Sequence, residues 1–221
     1  MSEALSELLE ARHSCRAYLT RPVSRGIIDH MLRMSQRTAS WCNAQPWQVH
    51  VLSAPATERA RSALLEHVGK HPPNPDLPFP ESYQGRYLER RRECGWQLYN
   101  AVGVERGDRA GADRQRIENF RFFGAPHVAL VTSDRALGIY GAIDCGAFVS
   151  MFMLAGQSLG IASIAQAALA SHSEFWRAHL GLCENRAVVC GISFGYEDCQ
   201  HPANSFRTAR ATVDESATWI E

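Results

Sequence analysis

Arg12, Ser14 and Arg16 place two guanidiniums and a hydroxyl within five residues. Guanidiniums donate charge-assisted hydrogen bonds in a rigid fork, so this set suits one compact anion, and a phosphate better than a carboxylate. A second polar stretch, Ser40-Trp41-Cys42-Asn43-Ala44-Gln45-Pro46-Trp47, follows one helix later. The chain carries no GxGxxG after a strand and no GxxxxGK[ST], so neither a Rossmann site nor a P-loop is expected, and a nucleotide-like cofactor must be held another way. The seven cysteines are an odd number without a Cys-x-x-Cys pair, so no metal site or disulfide framework is expected; reduced thiols suit the cytoplasm.

The elements that must position these residues follow from apolar periodicity. Leu5, Leu8 and Leu9 predict a helix over 3–11, and Ser24 is the expected N-cap of a second helix reaching about Arg37. A loop over Ser40–Pro46 leads to a strand, Trp47–Leu52, and then to a helix over Thr57–Gly69. Five prolines between His71 and Pro80 exclude helix and central strand, and residues 71–82 read as a surface excursion near a pocket. Ser82–Leu98 is an arginine-rich helix whose charges read first as a solvated face; the alternative is that Arg86 or Arg90 meets an acidic substrate or the phosphate of NADPH.

After a polar segment, Phe122 and Phe123 precede a strand over His127–Thr132; these aromatics suit either the core or an aromatic pocket wall. Tyr140–Leu159 predicts a long buried helix whose small residues allow close helix packing, as in a dimer core. A helix over Ser171–Leu180 and a strand over Arg186–Tyr196 follow. Residues 202–221 form a C-terminal arm ending in Trp219-Ile220, an apolar pair that a second subunit would bury.

A length of 221 residues suits one domain, 1–221, of α/β or α+β class, and no repeat or low-complexity segment is visible. Formal net charge is zero and the basic residues, of which Lys70 is the only lysine, are scattered, so nucleic acid is excluded as a partner. The N-terminus is polar and acidic rather than a signal peptide, and the apolar run Ala136–Leu159 reads as a core helix rather than a membrane span.

The order R-H-S-x-R, S-x-x-N-x-Q-P-W, L-G-I and N-S-F-R-T-A-R, running over about residues 5 to 215, resembles the FMN-dependent nitroreductase family. The resemblance implies an α+β fold, a mixed central sheet flanked by helices, and an intertwined homodimer with FMN at its interface. It further implies that Arg12, His13, Ser14 and Arg16 grip the phosphate and ribityl region together with Arg210 and Arg207. Ser40, Trp41, Cys42, Asn43 and Gln45 would approach the flavin held by the other subunit, with Trp41 standing where the family commonly has a small residue. Ile164, Ala165 and Gln166 would pass the flavin edge, a backbone N–H of Ala165 or Gln166 facing N5 and O4.

The implied activity is reduction of nitroaromatics, nitrobenzoate among them, or quinones by NADPH or NADH in a ping-pong scheme. The chemistry resides on the flavin, so no catalytic side chain is expected. Tyr83, Arg86, Tyr87, Phe122 and Phe123 are the expected substrate contacts. The rival readings are a reductive dehalogenase or flavin-consuming enzyme of the same fold, and a flavin-binding protein without turnover.

Overall fold

The computed structural model describes residues 2–221. Four strands, β1 (Gln48–Leu52), β2 (His127–Asp134), β3 (Ala162–Gln166) and β4 (Arg186–Gly195), form one sheet in the order β1-β2-β4-β3. All three ladders are antiparallel, so the expected mixed sheet is antiparallel within one chain. Among the described residues, parallel pairing is confined to an isolated bridge between Ser14 and Ser163.

Among the described residues, eight α-helices surround the sheet: α1 (Ser2–Ala11), α2 (Arg25–Ser35), α3 (Ala54–Val68), α4 (Gly85–Ala101), α5 (Arg109–Glu118), α6 (Gly138–Ser158), α7 (Ala167–Ala170) and α8 (Ser173–Leu180). Ser24 does cap α2, its hydroxyl accepting from the Ile27 amide. The helix expected over Ser171–Leu180 is α8, which begins at Ser173; the short helix α7 just before it was not expected, and the polar segment after α4 is in fact helix α5.

One face of the sheet packs Leu52, Val128, Leu130 and Val188 with Leu64, Leu169 and Trp176. The other packs Ala129, Val131 and Ile192 with Met31, Phe148 and Phe152 of α2 and α6. Trp47 belongs to this second core, stacked on Phe148 at 5.1 Å. Gly141 lets α6 approach β2: a Cβ there would stand 2.5 Å from Ser133 Oγ.

The expectation that α6 is buried holds for one face only. Cys145, Phe148, Phe152 and Ala155 point inward, while Ile139, Tyr140, Ile143 and Met151 are exposed, Ile139 by 74%. By length and composition α6 could cross a membrane, but its inner face is committed to the sheet, as in a core helix. Trp219 and Ile220 are likewise exposed, 82% and 94%.

The proline-rich excursion is pinned rather than free. Asp76 accepts from Arg177 Nη2 at 2.9 and 3.0 Å and from the Val188 amide at 2.8 Å, and also pairs with Arg135. Burial pushes this carboxyl up, but the Val188 amide and the two arginines outweigh it, and the net shift is downward.

Candidate functional site

The R-H-S-x-R segment leaves α1 and runs beside the edge strand β3. The Cys15 amide donates to the Ser163 carbonyl at 3.2 Å next to the Ser14 bridge, which sets the segment's register. Asn204 then ties it to the C-terminal motif. Its buried side chain accepts from the Arg16 amide at 2.7 Å and donates to the carbonyls of Ala17 and Asp198 at 2.9 and 3.0 Å. Both donors of this amide, and its oxygen, are engaged in joining two distant segments.

The result is a cleft of about 370 Å³ whose lining includes Arg12, His13, Ser14, Arg16, Arg207 and Arg210. Among the described residues, none of these four arginines forms an ion pair. Glu10 shares the lining without pairing to them. Burial lowers the pKa of the Arg12 guanidinium and Arg210 lowers it further by repulsion; burial also lowers that of Arg16. Arg12 and Arg16 are partly buried and Arg207 and Arg210 exposed, and cations gathered on one cleft without a counter-ion are the electrostatic signature of an anion site. His13 adds no free donor: its Nε2 stands 3.0 Å from Glu197 Oε1 and its Nδ1 3.1 Å from the Ala11 carbonyl.

The second polar stretch lies elsewhere. Residues 41–45 are exposed and follow a tight path in which Cys42, Asn43 and Gln45 all take positive φ, 52°, 55° and 47°. For non-glycine residues this backbone costs about 1–2 kcal/mol each, so something must hold it. Ser40 Oγ accepts from the Gln45 amide at 2.9 Å, Gln45 Nε2 donates to Asn43 Oδ1 at 3.1 Å, and both Asp144 oxygens accept from the Trp41 amide at 3.2 and 3.3 Å. The Trp41 indole rests on Tyr140, centroids 4.5 Å apart, beside an apolar cleft of about 380 Å³.

Sheet register shows how far apart these two groups are. Gln48, which follows the loop, pairs with Thr132, whereas Ser163 beside the arginine segment pairs with Phe194 and through it with His127. Three strand spacings and five residues of rise put these corners about 20 Å apart, diagonally across the sheet. The same corners mark the ends of α6, whose Asp144 near the N-terminus holds Trp41 and whose C-terminus leads into β3.

Other expected site residues separate. Ala165 is exposed on the outer edge of the sheet, and Ile164 is buried in the core. The Gln166 side chain is spent inward, on Ser193 and on the Asn119 carbonyl at 2.9 Å, leaving backbone groups as what this strand can offer. Phe122 and Phe123 are core, 0% and 7% exposed, because both residues turn through positive φ and fold their rings inward. They are not a pocket wall. Arg86 Nη1 donates to the Glu215 carbonyl at 3.2 Å, and Arg90 pairs with the Glu215 carboxylate at 2.9 Å, so the charge of Arg90 is already matched within the chain. Tyr83 and Tyr87 are exposed on the same segment, under Arg91 and Arg86 respectively.

Asn204 and Asp144 are the residues that reading the sequence for cofactor contacts missed. Asn204 opens the N-S-F-R-T-A-R motif of the tail, and Asp144 is the single acid in an apolar helix and had to find partners.

A model of the nitroreductase family matches residues 9–196. The chain is 34% identical over 217 residues to the nitroreductase NfnB of Mycolicibacterium smegmatis, covering 98% of this chain and 92% of that protein. It is 32% identical over 223 residues to a 4-nitrobenzoate reductase of a Nocardioides species, covering 99% and 90%. The crystal structure of the FMN-dependent NfnB from Mycobacterium smegmatis in complex with NADPH superposes with a TM-score of 0.95 at 33% identity, over 100% of this chain and 99% of that one. With the match spanning the arginine segment, the 40–45 loop and all four strands, this chain belongs to the nitroreductase family.

Proposed function

We propose that this protein is an FMN-dependent oxidoreductase that uses NADPH or NADH to reduce nitroaromatics. The observation that carries this is the cleft of unpaired arginines, whose donor set fits a phosphate monoester. Relatives named for nitrobenzoate and nitrobenzene reduction, and a neighbour solved with NADPH, support the choice of substrates.

Arg12, Ser14, Arg16 and Arg210 hold the phosphate of FMN, with Arg207 beside them. FMN, when bound, supplies a ring that takes two electrons from the nicotinamide and gives them to the acceptor. The protein's own work is to hold, orient and shield. The edge strand β3 lends backbone groups to the ring, and the Ser40–Gln45 loop, pinned by Asp144, brings Asn43 and Gln45 to it. Reductant and acceptor use the same place in turn, a ping-pong scheme, with quinones admitted as well. Seven unpaired cysteines fit a reducing compartment, the cytoplasm.

The site is completed by a second copy of the chain. Two corners about 20 Å apart in one chain cannot both enclose one flavin ring. The exposed apolar face of α6 lies between them, and antiparallel pairing of two such faces about a two-fold axis sets the N-terminal end of one α6 beside the C-terminal end of the other. The 40–45 loop of one copy then meets the arginine corner of its partner, and the exposed Trp219-Ile220 gains a surface to cover.

The test is anaerobic. Yellow protein bleached by NADPH, and recoloured stoichiometrically by 4-nitrobenzoate or nitrobenzene, is the expected result; colourless protein that takes up no FMN rules the proposal out. Flavin that NADPH fails to bleach points to a binding protein without turnover.

A further inference from the structure

The two tail arginines of the anion cleft stand on a strap fixed at both ends. At one end is Asn204, buried and bonded three ways to residues 16, 17 and 198. At the other is Glu215, whose carboxylate pairs with Arg90 of α4 at 2.9 Å and whose carbonyl accepts from Arg86 at 3.2 Å. Between them, among the described residues, the hydrogen bonds of 207–214 all stay within the tail. The turn carrying Glu215 is closed by its own capping box with Thr212.

A chain segment tethered at one end explores a wide volume, and each added constraint lowers the entropic cost of presenting its side chains. Arg210 lies five residues before Glu215, on the stretch with no other bond to the body of the protein. We propose that Glu215 is a positioning residue for the anion cleft, its ion pair with Arg90 fixing the far end of the strap and so setting where Arg210 meets the phosphate of FMN. The inference rests on the reading of the cleft as the FMN phosphate site. The Glu215 carboxyl is held below the usual range, first by the Thr212 amide and then by Arg90, so it is ionised wherever the enzyme works.

The effect is modest, because both partners of the pair are about half exposed, 46% and 49%. FMN affinity is measured by quenching of flavin fluorescence on titration into the flavin-stripped full-length protein, for wild type, Glu215→Gln, Arg90→Glu and the double swap Glu215→Arg with Arg90→Glu. Glutamine keeps the acceptor that closes the turn and removes only the charge. Both single variants are expected to bind FMN about three- to fivefold more weakly. They should bind riboflavin, which has no phosphate, as wild type does, and the swap, which restores the ion pair but not the acceptor that closes the turn, should recover part of the lost FMN affinity. Unchanged FMN affinity in the single variants overturns the proposal, as does a parallel loss of riboflavin binding or a swap that recovers nothing. A wild type that takes up no FMN overturns the function proposed above instead, so the two failures are told apart.

Discussion

Arg12 and Arg210 line one cleft from opposite ends of the sequence and repel each other there, with no carboxylate paired to either. Folding brings like charges together only where something of opposite charge is meant to arrive. Replacing either arginine by alanine removes one charge-assisted bond to the bound phosphate, a loss of about 2 kcal/mol, or roughly thirtyfold in FMN affinity. The double variant falls short of the sum, since both act on one anion. Flavin retained after dialysis measures it, and full occupancy in both single variants is incompatible with the assigned site.

Phe122 separates core from pocket. As a fully buried ring against Trp176, its truncation to alanine is expected to cost about 3–5 kcal/mol in thermal or urea unfolding. Phe122→Leu keeps most of the volume and should leave KM for a nitroaromatic unchanged. A large KM change with native stability would return this ring to the substrate wall.

Asp144 holds the strained 41–45 loop by the Trp41 amide. Asp144→Ala leaves that amide to water and is expected to loosen the loop by about 1–2 kcal/mol, seen as roughly tenfold faster hydrogen exchange over residues 41–45 with little change in the unfolding midpoint. Asp144→Asn keeps an acceptor and should recover most of the protection. Exchange that stays slow in the alanine variant would show that the loop holds itself.

Acid instability is expected in two stages. Burial lowers the pKa of His127, whose Nε2 is further committed to accepting the Val23 amide at 3.0 Å; burial, then His67 and His71, lower that of His172. A histidine with a depressed folded pKa takes up protons more readily when unfolded, so stability declines as pH falls below the unfolded value of about 6.5. Asp76, also depressed, keeps its contribution down to about pH 4 and loses it only below. Unfolding midpoints from pH 8 to 3 should show a first decline beginning near pH 6.5 and a second below 4. A flat profile down to pH 4 contradicts the histidine assignment.

Much of this was legible in the sequence for local physical reasons. Ser24 announces its helix, and the alternation of Val49 and Val51 announces a strand. The arginine segment was legible because clustered cations need an anion. What stayed hidden depends on contacts distant in sequence. Helix α5 lacks an apolar stripe to betray it, and Asp76 becomes an anchor only because Arg135, Arg177 and the Val188 amide arrive from later elements. The inward turn at Phe122 is set by backbone φ, which a pair of phenylalanines does not declare. The outer face of α6 read as core because apolar composition alone does not distinguish a partner inside the chain from one outside it.

In the proposed dimer each site draws its arginines from one chain and its loop from the other. This is tested by co-expressing two differently tagged chains, one Arg12→Ala with Arg210→Ala, the other Asn43→Ala with Gln45→Ala, and isolating the mixed dimer. Shared sites leave one of two intact in that dimer, so about one FMN per mixed dimer is expected, with NADPH-dependent nitroaromatic reduction recovered from two parents that lack both. A mixed dimer as empty and inactive as its parents would contradict it, because sites built within single chains would each carry one lesion.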